Sequence, residues 1–344
     1  MAEAKFTILG TSGSGKTCFL LGLYQQLRKG FNKFTLVPDE DTAYELDLRV
    51  ERMLDMSQKD KRLPAGTTDI SKYCFQLQYG YKKVIDFDWI DYRGGALRDK
   101  KSGNTDEYNQ IKQTIIDSNG IFICVDGELL IEDNFDIKVE NVQNKCSSII
   151  NFFISEFDKN NKSLPPIAIV VTKYDICREY TNEEELWEIM HEAFGSLFVK
   201  PTNENNERII SVIPVSLGKD FQEEDFSGKL VPLNIHLPIF MGIWFELRDY
   251  RGFLDYESGD VKEKYQEQID TLNRKIAEEK DSWFFVDDKA ISNWESQIDK
   301  LVDEGNDKIN FLNEENKKMG EYMDILQNEL EGMLVFSNGE IYHF

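Results

Sequence analysis

Residues 10–17 read GTSGSGKT, between the apolar runs FTIL (6–9) and CFLLGLY (18–24). The composition of this octet decides the fold class. Gly10, Gly13 and Gly15 free the backbone to turn its N–H groups inward around a phosphate chain. Lys16 carries an ammonium to the terminal phosphates, and the Thr17 hydroxyl is placed to bind Mg2+. Ser14 and Cys18 complete the stretch expected to touch the nucleotide, because the first turn of the helix that follows presents the positive end of its dipole. The pattern G-x-x-x-x-G-K-T carries this meaning only between a strand and a helix, which is the context the flanking runs supply. By itself it leaves ATP and GTP open.

The chain of 344 residues accommodates one large domain with an appendage, or two domains. A formal charge of −23 argues against sequence-independent binding of nucleic acid, which rests on Lys and Arg neutralising phosphates. It points instead to protein partners. Five cysteines (Cys18, Cys74, Cys124, Cys146, Cys177) without C-x-x-C spacing speak against a disulfide framework and for a reducing compartment. No apolar run is long enough to span a bilayer, the start has no basic n-region, and Ala2 rather than Gly follows Met1. The expectation is a cytoplasmic protein with no stable membrane anchor.

Along the chain, residues 15–29 suit an amphipathic helix ended by Gly30, and DTAYELDLRVERMLDM (41–56) a second, within a helical insertion at about 31–66 that ends in LPAGTTD (63–69). KYCFQLQY (72–79) and KKVIDFDWIDY (82–92) alternate at strand period around a turn at Gly80 and Tyr81. Helix and strand then alternate: helices at 105–118, 133–157 and 231–250, buried strands at GIFICVD (120–126), PPIAIVVT (165–172) and RIISVIPVS (208–216), and a helix EEELWEIMHEAF (183–194) with Thr181 as cap and Glu184 as its capping-box partner. Alternating units with continuous apolar strands imply a mostly parallel sheet covered on both faces.

Past Gly252 the composition changes. From Arg251 onward 11 basic and 23 acidic residues give −12 of the total charge. Apolar residues recur at coiled-coil spacing (Tyr265, Ile269, Leu272, Ile276; Ile298, Leu301; Met319, Met323, Leu326, Leu330, Met333), interrupted at DSWFFVDDK (281–289), which predicts two antiparallel helices. In LVFSNGEIYHF (334–344), Asn338-Gly339 is a type I′ hairpin signal.

Three later stretches narrow the nucleotide. VIDFDWI runs into Asp91-Tyr92-Arg93-Gly94, whose Asp is positioned to hold Mg2+ and whose Gly N–H can meet a γ-phosphate. IAIVVTKYD ends a strand with Thr172-Lys173-x-Asp175; an Asp there accepts both guanine N1–H and the exocyclic amine, two donors that adenine lacks, while the Lys stem lies along the base. IPVSLGK places Ser216-Leu217-Gly218 after the next strand, where a backbone N–H can meet guanine O6. In this order, each at a strand's C-terminal end, they fit the place where open α/β sheets bind ligands.

This arrangement resembles the Ras-like P-loop GTPase family over roughly residues 4–250. The resemblance implies an α/β fold, the G domain of a P-loop NTPase, with a mostly parallel six-stranded sheet whose one antiparallel strand is Tyr73–Tyr79. A C-terminal coiled-coil hairpin foreign to the family would follow at 251–333, then the terminal hairpin at 334–344. It implies GTP/GDP and Mg2+ as cofactors, and Thr67 or Thr68 as the switch I threonine on Mg2+ and γ-phosphate, with Thr68 favoured by its spacing to Asp91. The residues after Gly94 become switch II. Catalysis would rest on Lys16, Thr68, Asp91 and Gly94, with Arg93 as the candidate to act in cis; Arg93 and Arg98 flank the Gly-Gly pair, where switch arginines more often make surface contacts. Two departures matter: Thr172 stands where the family has Asn, and Gly95 where many members carry a water-orienting Gln. The expected activity is slow GTP hydrolysis by a molecular switch that an effector, an activating protein or self-association through the coiled coil accelerates. A nucleotide-stabilised scaffold and a P-loop ATPase are the alternatives. Bacterial members with unusual appended helices look like parts of multi-protein systems, including phage defence, and the resemblance extends that expectation here.

Asp86 and Asp88 alternate with Phe87 and Trp89 and read as the solvated face of a strand. His191, His236 and His343 share no metal-ligand spacing.

Overall fold

A computed structural model describes residues 3–57, 62–64, 70–93, 97, 105–158, 164–200, 207–219, 221, 226–281 and 286–344. These fall into two compact units, one of residues 1–245 with 326–344, the other of residues 246–325.

In the first unit, β1 (Glu3–Gly10) leads through the glycine loop into α1 (Lys16–Leu27). Then come β2 (Phe34–Pro38), α2 (Glu40–Leu54), β3 (Ser71–Tyr79) and β4 (Lys82–Asp91). Next are α3 (Thr105–Ile116), β5 (Gly120–Asp126), a 3-10 turn (Gly127–Leu130) and α4 (Phe135–Phe153), prolonged by a π-helical turn (Ile154–Asp158). They are followed by β6 (Ile167–Thr172), the short α5 (Tyr174–Cys177), α6 (Glu183–Ala193) and β7 (Ile209–Pro214). The long helices α7 (Leu237–Lys280) and α8 (Asp288–Leu330) precede β8 (Leu334–Ser337) and β9 (Glu340–His343).

The sheet order is β2-β3-β4-β1-β5-β6-β7-β8-β9. From β4 to β7 every pairing is parallel, and β3 joins β4 antiparallel. The sheet is therefore mixed and nine-stranded, which corrects the expectation of six. The three extra strands lie at the edges: β2 pairs antiparallel with β3, and β8 and β9 continue antiparallel from β7.

β5 and β6 are apolar almost throughout because helices cover both of their faces. On one face Ile121, Ile123, Val125, Ile167, Ile169 and Val171 pack with residues of α3, α4 and α6 such as Ile111, Val142 and Met190. On the other, Phe6 lies against Phe87 and Phe122, with ring centres 5.4 and 5.6 Å away, and Phe19 of α1 meets Trp89 at 5.6 Å. The cap of α6 is Asn182, whose side chain accepts from the Glu185 N–H at 2.9 Å, one residue later than the expected Thr181. Asp86 and Asp88 are engaged on the strand surface by Gln76 and Lys83, and by Lys72 and Cys74, respectively.

His236, just before α7, is walled by the rings of Phe31 (4.4 Å) and Phe240 (5.3 Å). Burial pulls its pKa from 6.5 down to about 4. As pH falls from about 6.5 to 4 the unfolded chain takes up a proton that the folded ring refuses, so stability drops across that window, by about 3 kcal/mol for a shift of this size. Glu329 Oε2 lies 4.0 Å from Nε2. His236→Phe is expected to flatten the acid limb of a stability-versus-pH curve measured by urea melts. A variant as acid-sensitive as wild type would remove His236 from that account.

In the second unit, Tyr265, Ile269, Leu272 and Ile276 of α7 face inward at alternating spacings of four and three, as do Ile291, Trp294, Ile298, Leu301 and Gly305 of α8. A side chain at Gly305 would press on the Tyr265 ring at 3.1 Å, so the missing Cβ sets the helix spacing there. Among the described residues no helix is long and apolar enough to cross a membrane.

Candidate functional site

The C-terminal ends of β1, β5, β6 and β7 open onto a cleft of about 380 Å³. Its phosphate side is the loop before α1. Gly13 and Gly15 have φ of 84° and 77°, a region that disfavours side chains, and a Cβ on Gly13 would meet nothing within 4 Å, which leaves its backbone open to a ligand. A Cβ on Gly10 would come within 2.4 Å of Ser14 Oγ and 2.9 Å of the Cys124 carbonyl oxygen. The loop is held from within: Ser14 Oγ donates to the Thr11 carbonyl at 2.9 Å, and Lys16 Nζ spans the Gly10 and Thr11 carbonyls at 3.2 Å each.

The first turn of α1 carries no side-chain cap and no acidic residue. By contrast Asp39, Asn134 and Asn182 cap α2, α4 and α6. The first intrahelical bond is Phe19 N–H to the Gly15 carbonyl, so the N–H groups of Lys16, Thr17 and Cys18 have no carbonyl of their own helix to satisfy. The first turn of such a helix presents the positive end of its dipole, which favours an anion.

The opposite wall comes from β6 and β7. Thr172, buried at the end of β6, reaches both the Ser14 carbonyl (3.0 Å) and the Val125 carbonyl (3.1 Å) with its hydroxyl. It also touches Gly15, where a Cβ would sit 3.0 Å from Oγ1. Thr172 therefore ties the loop before α1 to the sheet. Lys173 adopts a left-handed φ of 55°, and its ammonium is held by Asp126 Oδ2 and Glu128 Oε1, both at 2.9 Å. Burial pulls its pKa down, but the two carboxylates outweigh that and leave it raised. With the head fixed, the aliphatic stem is held along the cleft.

Asp175 lines the same cleft from the first turn of α5. Burial pushes its carboxyl above the usual range, opposed by Arg178 and Lys173. Ser216 and Leu217 line it from the segment after β7. Ser216 gives its own N–H to the Leu233 carbonyl at 3.2 Å, and among the described residues no backbone carbonyl takes the N–H of Leu217. At this edge of the cleft the uncommitted backbone donor among the described residues is thus Leu217 rather than Ser216.

The structure gathers Gly13, Ser14, Gly15, Lys16, Thr17, Cys18, Thr172, Lys173, Asp175, Ser216 and Leu217 around one cleft. Asp91 is buried at the end of β4, in register with Ile8 of β1. Both it and Lys16 are near enough to act on the buried Cys124 thiol, which burial pushes far up. Arg93 lines a different cavity, of about 20 Å³, with Tyr92, Leu97 and Ile149. Thr67, Thr68, Gly94, Gly95 and Arg98 lie outside the described residues. No cluster of three or more metal-ligating side chains occurs among the described residues. Mg2+ does not require one, since it takes one or two protein ligands with phosphates and water, and the hydroxyl of Thr17 with the carboxylate of Asp91 fits that set.

Glu128, Leu63, Pro64 and Phe221 also line the cleft, and Asp126 holds Lys173 beside it, none of them among the residues expected from the sequence. Asp126 ends a buried strand as a lone carboxylate, the one sequence cue among them.

No protein-family model matches the chain. No curated protein matches it either. Solved structures with a loose likeness are the SRb–GTP/SRX complex of the signal recognition particle receptor from Chaetomium thermophilum (11% identity, TM-score 0.37, 67% of this chain and 100% of that one), the S. cerevisiae Ski7 GTPase-like domain bound to GTP (16%, 0.34, 63% and 45%) and nucleolar GTP-binding protein 1 from Plasmodium falciparum (12%, 0.35, 76% and 95%). At these scores the likeness assigns no residue, and the site is read from its own atoms.

Proposed function

We propose that this chain binds a guanine nucleotide with Mg2+ in the cleft and hydrolyses GTP slowly, as a switch of the Ras-like kind. One observation carries the reading: the phosphate loop with Lys16 and Thr17 shares a single cleft with Asp175 and the backbone at Leu217. A carboxylate accepts the N1–H and exocyclic amine of guanine, while the Leu217 N–H donates to O6. Adenine offers the reverse pattern at these positions. The Lys173 stem, fixed by Asp126 and Glu128, covers a face of the base.

In hydrolysis a water oxygen bonds to the γ-phosphorus, the bond to the β–γ bridging oxygen breaks, and GDP and phosphate leave. Mg2+, when bound, neutralises charge on the β- and γ-phosphates. Lys16 and the N–H groups of Lys16, Thr17 and Cys18 stabilise the charge that grows on the leaving diphosphate. The residue after Gly94 is Gly95, which brings no side chain to orient water, so turnover is slow until an activating protein or a second copy supplies one. The same glycine favours a second reading, a scaffold that keeps its nucleotide.

The test is the nucleotide that copurifies with the protein, followed by phosphate release from GTP and ATP across protein concentration. Bound GDP or GTP and a GTP rate that rises with concentration support the switch. Guanine nucleotide held without turnover supports the scaffold, and preference for ATP would overturn the guanine assignment.

A further inference from the structure

Gly22 lies buried in the middle of α1, between Leu21 and Leu23. Its backbone is ordinary helix, outside the glycines at positive φ, so nothing in its conformation calls for glycine. Alanine is the better helix former at such a position. What the position lacks is room. A Cβ on Gly22 would stand 2.2 Å from Leu217 Cδ2 and 2.6 Å from Ile235 Cδ1.

The two side chains that fill this notch belong to one piece of structure. Ser216 N–H donates to the Leu233 carbonyl at 3.2 Å, and Leu233 N–H donates back to the Ser216 carbonyl at 3.0 Å. Val231 N–H adds a bond to the Leu217 carbonyl at 3.1 Å. Leu217 comes from one side of this antiparallel bridge and Ile235 from just beyond the other, so the bridged corner rests on α1 through both of them at Gly22. They are 8% and 1% exposed, and both line the cleft. A methyl group at position 22 bears on both at once, and turning one side chain aside does not clear the other. A close-packed interior passes such a push on to the backbone.

That backbone carries the uncommitted N–H of Leu217. The same helix begins at Lys16, six residues earlier and about 9 Å along its axis. Helix α1 therefore faces one end of the cleft with its first turn and holds the other end with its notch.

We propose that Gly22 is a positioning residue for base recognition: the notch seats Leu217 and Ile235 and so sets where the Leu217 N–H stands toward the base oxygen. This rests on the guanine reading of the cleft. Gly22 acts through Leu217, and the size of the residue at 22 tunes how well the 6-oxo group of a purine is read.

The variants are Gly22→Ala, which fills the notch, Leu217→Ala, which empties it, and the two together. Isothermal titration compares GDP with 2-aminopurine riboside diphosphate, which keeps the exocyclic amine and has neither O6 nor the N1–H, and melting temperature without nucleotide reports folding. Gly22→Ala is expected to weaken GDP about tenfold, as a base oxygen left without its donor implies, and to narrow the preference for GDP over the analogue. Leu217→Ala, which frees the same corner, should cost about threefold and narrow it too. In that background alanine at 22 should cost less, because the nearer obstruction is gone. GDP affinity within twofold of wild type in a folded Gly22→Ala overturns the proposal. So does a loss shared equally by the analogue, which marks a brace of the whole cleft. Should Gly22→Ala fail to fold, Leu217→Ala decides: an unchanged preference overturns the proposal, and a narrowed one supports it. Wild type that binds neither diphosphate would overturn the nucleotide reading itself, whereas wild-type preference for GDP that survives in both single variants overturns this proposal alone.

Discussion

Asp175→Ala will lower the affinity for GDP by about 10²- to 10⁴-fold and leave that for ADP unchanged, since two hydrogen bonds to a charged acceptor are worth about 1.5–3 kcal/mol each. Burial strengthens the case, because the carboxylate sits where water competes weakly and its pKa is already raised. That shift has a sign. The protonated acid has lost an acceptor, so GDP affinity should fall on acidification, and begin to fall at a higher pH than an ordinary carboxylate would allow. Asp175→Asn is the chemical control: an amide offers a donor where guanine also offers one, but where xanthine presents a carbonyl, so selectivity should turn toward xanthosine diphosphate. Isothermal titration with the three diphosphates reads all of this. Equal loss for GDP and ADP in Asp175→Ala would mean that the carboxylate supports the fold and reads no base.

Lys16→Ala is expected to cut phosphate release from GTP by about 10²-fold or more, the scale for removing one preorganised charge from a transition state. Folding should survive it. The ammonium makes two 3.2 Å bonds to the carbonyls of Gly10 and Thr11, both within the loop. A melting temperature near wild type with turnover abolished separates the two roles. Turnover at the wild-type rate would place the chemistry elsewhere in the molecule.

How much of this could be read from the residues depended on how local the cause was. The phosphate loop was legible because glycines at positive φ, a lysine and a threonine act within eight residues. The Thr172-Lys173-x-Asp175 corner was legible because β6 is apolar throughout up to Thr172. Strand β2 was missed: five residues ending in Pro38 carry little period, and they form a strand by pairing with β3 some forty residues on. Helix α7 looked like two elements because composition changes near Gly252. Yet side chains at Gly252 and Gly259 would meet nothing within 4 Å, and the helix passes through both. Nothing in the string RLP at 62–64 marks Arg62 as buried, because its two aromatic partners, Phe221 and Phe226, lie more than 150 residues away.

The place of β8 carries a last consequence. It pairs antiparallel with β7 at Ile209–Ser337 and Ile210–Phe336, Ser211 Oγ donates to the Leu334 carbonyl at 2.7 Å, and Phe336 packs on Phe198 with ring centres 5.3 Å apart. In chain topology, then, β7 and β8 are the two legs of a hairpin, and everything from Val215 to Met333, both long helices included, is its loop. Closing a loop costs entropy only as the logarithm of its length, about 0.6 kcal/mol per doubling, so a hairpin can carry such a cargo without losing its register. A fragment cut where the composition changes would remove one leg with the cargo and bare the outer edge of β7 as a template for foreign strands.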